Sequence, residues 1–301
     1  MSKKMTTEKA EKKSRRRFGD RAEGRLLRTV SPMTRVAVFI MGNRIGALNS
    51  IRDSVDTAEI DKYIRAKKDE GYRNFNFMHV IIATYVRVVA QMPALNRFIA
   101  GHKIFARNNI EIALTIKKEM TLDSPDTVIK IEPRADMTPV EIYELLQDKI
   151  DGYREEPGGS FDKTARILNH LPGILMLIAI KLIRFIDYLG FLPRALTRLS
   201  PFHASMFITS MGSLGIPPIY HHLYDFGNCP VFIAFGAKER KYELNADGES
   251  ERHDYIGFTV VMDERICDGF YYASALKKIR RLLKNPTLLD TPPEAVAEDV
   301  E

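Results

Sequence analysis

Residues 258–276 read FTVVMDERICDGFYYASAL, and the parsing of this stretch decides the fold. The apolar run that stops at Met262 has the pattern of a buried strand, and the aromatic-rich run from Phe270 onward has helical spacing. Asp263, Glu264, Arg265 and Asp268 crowd into the junction between them, with Gly269 at its end. Alone, such a junction reads as a salt-bridged turn, because an Asp caps the first turn of a helix and a Gly relieves the backbone. The flanking segments decide whether it is more.

Just upstream, PVFIAFGAKERKYEL (230–244), NADGES (245–250) and HDYIGFTVVMD (253–263) predict two strands around an Asp-Gly turn. Downstream, FYYASALKKIRRLLKN (270–285) predicts an amphipathic helix with Ala273, Leu276, Ile279 and Leu283 on one face. Further out, residues 60–72 read as a helix ended near Gly71, and 76–95 as a longer, more buried helix stopped by Pro93. Residues 110–118 are strand-like, and 138–153 open as a helix with Thr138 at the cap and Glu141 three residues on. Helices and strands alternate in blocks, so the fold class is α/β or α+β.

With 301 residues, 45% of them hydrophobic and 28% charged, the chain can bury a full core. No internal repeat or Gly/Ser-rich linker divides it. The net charge of +6 is localised: Met1–Arg25 carries 10 Lys or Arg against 4 acids, whereas residues 286–301 hold 5 acids and no cation. We therefore expect a disordered basic tail at 1–28, a core at 29–290 and an acidic tail at 291–301. The basic tail reads as a solubilising extension, with an anionic membrane surface or RNA as the alternative. Nucleic acid is not expected, because no aromatic residues interleave with the cations. Cys229 and Cys267 are the only cysteines, which excludes a disulfide framework; no CxxC or His/Cys cluster points to a metal. Without a secretory signal, a cytoplasmic setting is expected, with peripheral membrane contact as an addition.

LPGILMLIAIKLIRFIDYLGFLP (171–193) stands apart. Its apolar run from Ile174 to Ile180 is too short to span a bilayer, for which ~18 or more residues are needed. Lys181, Arg184 and Asp187 recur every third residue along one stripe. Packing against the chain's own core or an identical subunit is the plainer expectation; lying on lipid or roofing an apolar substrate tunnel is the alternative.

From about Tyr255 to Pro286 the sequence resembles the end of the chloramphenicol acetyltransferase-like superfamily, which includes the catalytic cores of 2-oxoacid dehydrogenase dihydrolipoamide acyltransferases. That group's signature is a strand, His-x-x-x-Asp-Gly and a helix; the same frame here reads Glu264-Arg265-Ile266-Cys267-Asp268-Gly269. FITSMGSLGI (207–216) is similar to the segment whose Ser hydroxyl supports the tetrahedral intermediate. CPVFIAFGAKERKYEL (229–244) resembles the strand after it, and residues 75–118 resemble the family's helix, turn and hairpin. The likeness runs over about residues 34–290.

The resemblance implies a homotrimer with sites between subunits and acyl-coenzyme A as co-substrate, with no covalently bound cofactor. It puts Thr209 at the oxyanion-donor position, with Ser210 one residue along. It matches Asp268 to the motif Asp, whose clamp partner would be Arg44 in MGNRIGALNS. It also implies a His as general base where this chain has Glu264. A carboxylate is a base about two pKa units weaker unless burial raises it, and His221 or His222 is the alternative carrier of the mobile proton. A short basic tail stands where dihydrolipoamide acyltransferases have a lipoyl domain, so no swinging arm is expected. Residues 171–193 look like an insertion that modifies the acceptor channel or the subunit contact. The implied activity is acyl transfer from a coenzyme A thioester to a thiol or hydroxyl; the alternative is a catalytically altered relative acting as a trimeric scaffold.

Overall fold

The computed structural model describes residues 16–117, 126–155 and 169–301. In chain order its strands are β1 (Gly24–Leu26), β2 (Leu48–Asp56), β3 (Arg97–Ala100), β4 (Lys103–Arg107), β5 (Ile112–Lys117), β6 (Asp126–Ile131), β7 (Met206–Ser210), β8 (Val231–Leu244) and β9 (Ser250–Asp263). Its α-helices are α1 (Pro32–Ile40), α2 (Ala58–Asp69), α3 (Phe77–Gln91), α4 (Pro139–Glu155), α5 (Gly173–Leu189), α6 (Arg194–Leu199) and α7 (Gly269–Lys284). Six strands form one mixed sheet in the order β2-β9-β8-β7-β5-β6, and β1-β4-β3 form a small second sheet. In the large sheet β7 runs parallel to both β5 and β8, while the other pairs are antiparallel.

The expected hairpin is β8–β9. Asn245 closes its turn by accepting from the N–H groups of Asp247 (3.0 Å) and Glu249 (2.9 Å), and Gly248 supplies a φ of 81°. The period-two alternation of strands then divides the central residues between two faces. Ile208, Ile233, Phe258 and Val260 point into the main core with α3, α4 and α7. Phe207, Phe232, Ala234 and Val261 point to the outer face, which Leu223 and Cys229 cover from the loop before β8. That loop lies flat on the sheet because Gly236 and Gly257 lack side chains: a Cβ on Gly236 would come within 2.5 Å of Pro218.

α3 is the central helix, with only Met78 and Gln91 outside its buried set. Asn76 caps it and accepts from the Met78 N–H (2.9 Å), while the Asn76 N–H donates to Nδ1 of His79 (3.0 Å). The pair forms a capping box with histidine in the usual Glu or Gln role. α4 starts as expected, with the Thr138 N–H donating to Glu141 (2.7 Å). α7 is also where expected, but its buried face comprises Tyr272, Ala275, Leu276, Ile279, Leu282 and Leu283; Ala273 is exposed.

Three expectations change. The tail expected to be disordered to residue 28 is structured from its middle onward. Arg21 and Glu23 pair in the interior at 2.8 Å, β1 joins the small sheet, and Leu27 is buried. Charge counting misses this because the two ions neutralise each other out of solvent; residues 1–15 lie outside the described residues. The acidic C-terminal segment is bound back: Asp299 takes both arms of Arg97 (2.7 and 2.5 Å), and the Glu301 carbonyl accepts from the N–H groups of Arg28 (2.8 Å) and Thr29 (2.7 Å). Finally, α5 is not packed into the chain's own core, since none of its residues is buried.

Burial dominates the titration of His79, pushing its pKa down from 6.5 to about 4. A depressed imidazole contributes stability that is complete above pH 6.5 and is lost as pH falls toward 4. We predict that His79→Gln, which keeps a capping acceptor, removes a pH-dependent loss of up to about 3 kcal/mol between those values. Chemical denaturation at pH 7 and pH 4.5 checks this; an unchanged pH slope in the variant would contradict it.

Candidate functional site at the DERICDG junction

β9 ends by delivering Asp263 into the interior, where it is 1% exposed. A buried carboxylate needs partners, and Arg265 supplies a two-armed grip, Nε at 2.8 Å and NH2 at 2.7 Å, while its own N–H donates at 3.2 Å. Arg44 approaches the same carboxylate with Nε at 3.8 Å. Burial pulls the Arg44 pKa down, and Asp263 opposes that shift. Arg44 also donates to the carbonyls of Tyr224 and Gly227, the latter at 2.7 Å, and Arg265 donates to the Met41 carbonyl at 2.9 Å. The clamp expected between Arg44 and Asp268 is therefore made with Asp263 instead. Asp268 is exposed and caps α7, accepting from the Tyr271 N–H at 2.8 Å. Spacing along the chain could not separate the two acids; the strand pleat does, because it sets Asp263 on the same face as Val261, where the loop before β8 buries it.

Glu264 opens the short 3₁₀ turn Glu264–Ile266. It is exposed, and among the described residues its carboxylate has no hydrogen bond or ion pair. Three residues on, Cys267 is buried, and its thiol pKa is pushed up to about 12 by burial, so it is not a ready nucleophile.

β7 places its two hydroxyls on opposite faces. Ser210 lines a cavity of about 560 Å³ with Phe77, His79, Leu114, Ile150 and Gly236. Thr209 does not line it and lies on the outer face with Phe207. Thr209 is opposite Ala234, which is opposite Thr259. At about 3.3 Å per residue along β9 and about 4.8 Å between strands, Glu264 is roughly 15–20 Å away. One chain therefore does not bring Glu264 and Thr209 together.

His221 stacks flat on Phe232, with ring centres 3.8 Å apart, and its Nδ1 lies 2.8 Å from the His222 carbonyl oxygen. Burial lowers the His221 pKa. His222 is exposed and stacks on His221 at 4.6 Å. Because Phe232 pairs with Phe207, this His pair shares the outer face with Thr209. Among the described residues no group of three His, Cys, Asp or Glu could hold a metal ion.

This architecture is the chloramphenicol acetyltransferase-like fold, the fold also of the catalytic cores of 2-oxoacid dehydrogenase acyltransferases. The chain is similar to a probable dihydrolipoamide acetyltransferase from Listeria monocytogenes, with a TM-score of 0.53, 15% identity, and 85% of this chain and 92% of that one covered. Against a chloramphenicol acetyltransferase the TM-score is also 0.53, at 10% identity over 86% of this chain and 99% of that one. A dihydrolipoamide acetyltransferase from Azotobacter vinelandii, whose mechanism has been examined through a serine, a histidine and an asparagine, gives 0.52 and 11% identity over 85% and 88%. No protein-family profile matches the chain, and no curated protein matches it by sequence.

The two acids of the junction should behave oppositely to their motif positions. Asp263→Ala strands two buried guanidinium groups and is expected to cost about 3–5 kcal/mol, whereas Asp268→Ala loses one helix cap and costs about 1 kcal/mol. Urea unfolding of both variants measures the difference; equal losses would contradict the assignment.

Proposed function

We propose that the protein is an acyltransferase that moves an acyl group from a coenzyme A thioester to a thiol or hydroxyl acceptor. It works as a homotrimer in which Glu264 of one subunit faces a β7 hydroxyl of the next. The observation that carries this reading is the state of Glu264: an exposed, unpaired carboxylate on a junction that is otherwise locked, in a fold shared with acyltransferases. The separation of Glu264 from Thr209 and Ser210 within one chain supports a site completed by a neighbour. In that site Glu264 takes the acceptor's proton while the acceptor sulfur or oxygen attacks the thioester carbonyl. Thr209 or Ser210 donates to the oxyanion of the tetrahedral intermediate, which collapses to the new acyl bond and expels the coenzyme A thiolate. The proton held by Glu264 then passes to that thiolate. The cavity beside Ser210 falls within the ordinary size range of ligand pockets and supports binding of an extended donor chain.

A second reading has its own support. The absence of any described partner for Glu264, at the position where relatives of this fold carry the base, fits a non-catalytic trimeric scaffold. Thiol release from acetyl- and longer acyl-coenzyme A decides between them. Catalysis predicts that Glu264→Gln lowers the rate by about 10²–10⁴ with unchanged thermal stability. Full activity in that variant would remove Glu264 from the mechanism, and calorimetry that detects no acyl-coenzyme A binding would leave the scaffold.

A further inference from the structure

α5 and α1 expose more apolar surface than a soluble helix pair normally leaves uncovered. On α5 the residues turned towards the body are Met176, Ala179, Ile180, Ile183 and Ile186, and even these are only half-buried. The opposite side presents Ile174, Leu177, Ile178, Leu182 and Phe185, the last 59% exposed. α1 adds Met33, Val36, Phe39 and Ile40, with Phe39 66% exposed. The two helices are joined through the β3–β4 turn. His102, at a positive φ of 56°, stacks on Phe39 at 5.1 Å and meets Tyr188 edge-on at 5.8 Å. The apolar surface thus runs across both helices, and a contiguous exposed apolar face marks an interaction site.

Among the described residues the charges around this face are mostly cations. From Thr29 to Leu48 the sequence contains no acid, and from Leu171 to Ser200 the only one is Asp187. Asp187 turns inward to Arg21 and His203 and is held below the ordinary carboxylate range: burial opposes ionisation, but His203 and Arg21 outweigh it. Lys103, Lys181 and Arg184 are exposed at the face, and among the described residues the exposed carboxylate beside them is Asp225, whose backbone carbonyl accepts from Arg184 at 3.4 Å. No described helix is long and apolar enough to cross a bilayer.

We infer that the α1–α5 face is a docking surface for an anionic lipid bilayer, with both helices lying in the interfacial plane. An amphipathic helix with aromatic and aliphatic residues below and cations at the headgroup level binds there through buried apolar area and charge attraction together. A second copy is the less suitable occupant. A two-fold contact through α5 would bring Lys181 and Arg184 of one copy to an α5 whose single acid, Asp187, is turned inward to Arg21. Residues 1–15 carry 6 Lys or Arg against 2 acids, a further attraction for an anionic surface. This inference is independent of acyl transfer: it concerns where the protein sits, whichever chemistry it performs.

Co-sedimentation of the full chain with vesicles tests it, using phosphatidylcholine alone and phosphatidylcholine with one quarter phosphatidylglycerol. The double variant Ile178→Glu/Phe185→Glu changes only exposed side chains, and its melting temperature is measured alongside. Wild type is expected to bind the anionic vesicles at least tenfold more tightly than the double variant, and to bind neutral vesicles weakly. Equal binding by both proteins would overturn the role of α5, and equal binding to neutral vesicles would overturn the anionic assignment. Analytical ultracentrifugation without lipid closes the remaining route: if the double variant dissociates an oligomer that wild type forms, the face is a subunit contact and the lipid inference fails.

Discussion

One buried carboxylate sets the geometry of the candidate site. Asp263 lies where water cannot solvate it, so the chain must bring cations to it, and the cations come from two different segments. Arg265 arrives from the same junction and Arg44 from the loop after α1. Each spends its remaining donors on carbonyls, Arg265 on Met41 and Arg44 on Tyr224 and Gly227. A single charge therefore fixes the relative positions of the residue 41–44 loop, the loop carrying His221 and His222, and the turn that presents Glu264. Those three are the segments from which any chemistry at this end of the sheet would be drawn.

A second ionic cluster does comparable work for the segment that follows α5. Glu111, just before β5, is 1% exposed and takes Lys130 from β6 and Arg194 from α6. Burial alone would raise its pKa, yet Lys130 and Arg107 outweigh that effect and hold it low. Lys130 in turn donates to the carbonyls of Thr197 (2.9 Å) and His203 (2.6 Å), which pins the end of α6 and the approach to β7. The segment is tethered through ions and backbone, and α5 itself contributes almost no buried side chain. Its apolar surface is left facing outward.

The sheet's hairpin, α4 with its capping box and the buried character of α3 were all legible, because each is written in local periodicity and turn chemistry. The acyltransferase-like order of segments was legible too, since residues 207–216, 229–244 and 258–269 keep their sequence pattern. What could not be read was anything set by register or by distant charge. Asp263 and Asp268 look alike in sequence, and only the pleat of β9, which sets Asp263 on the loop-covered outer face, makes the first the partner of Arg44. Thr209 and Ser210 are adjacent, yet the alternation of β7 sends one to the outer face and the other to the cavity. Arg21 counted as part of a solvated tail, although its partner Glu23 is two residues on and both are buried. The apolar character of α5 was plain, but its exposure depends on how the surrounding elements tether it.

The contacts between residues 25–29 and 299–301 bear on the order in which the molecule assembles. The Thr29 hydroxyl donates to the Glu301 carbonyl at 2.6 Å across 272 residues of sequence, and Arg25 donates to the Val300 carbonyl at 2.9 Å. A loop of that length is entropically expensive to close, and it closes only once the sheet between its ends already exists. β3 and β4 form a local hairpin within the core, whereas β1 and the C-terminal segment depend on that long-range closure and form a belt around it. By the same logic they are the first region to open under native conditions. Amide protons of Arg28 and Thr29 should exchange through this local opening long before those of α3, which gives the protein a peripheral unit that can loosen without disturbing either the Asp263 lock or the sheet.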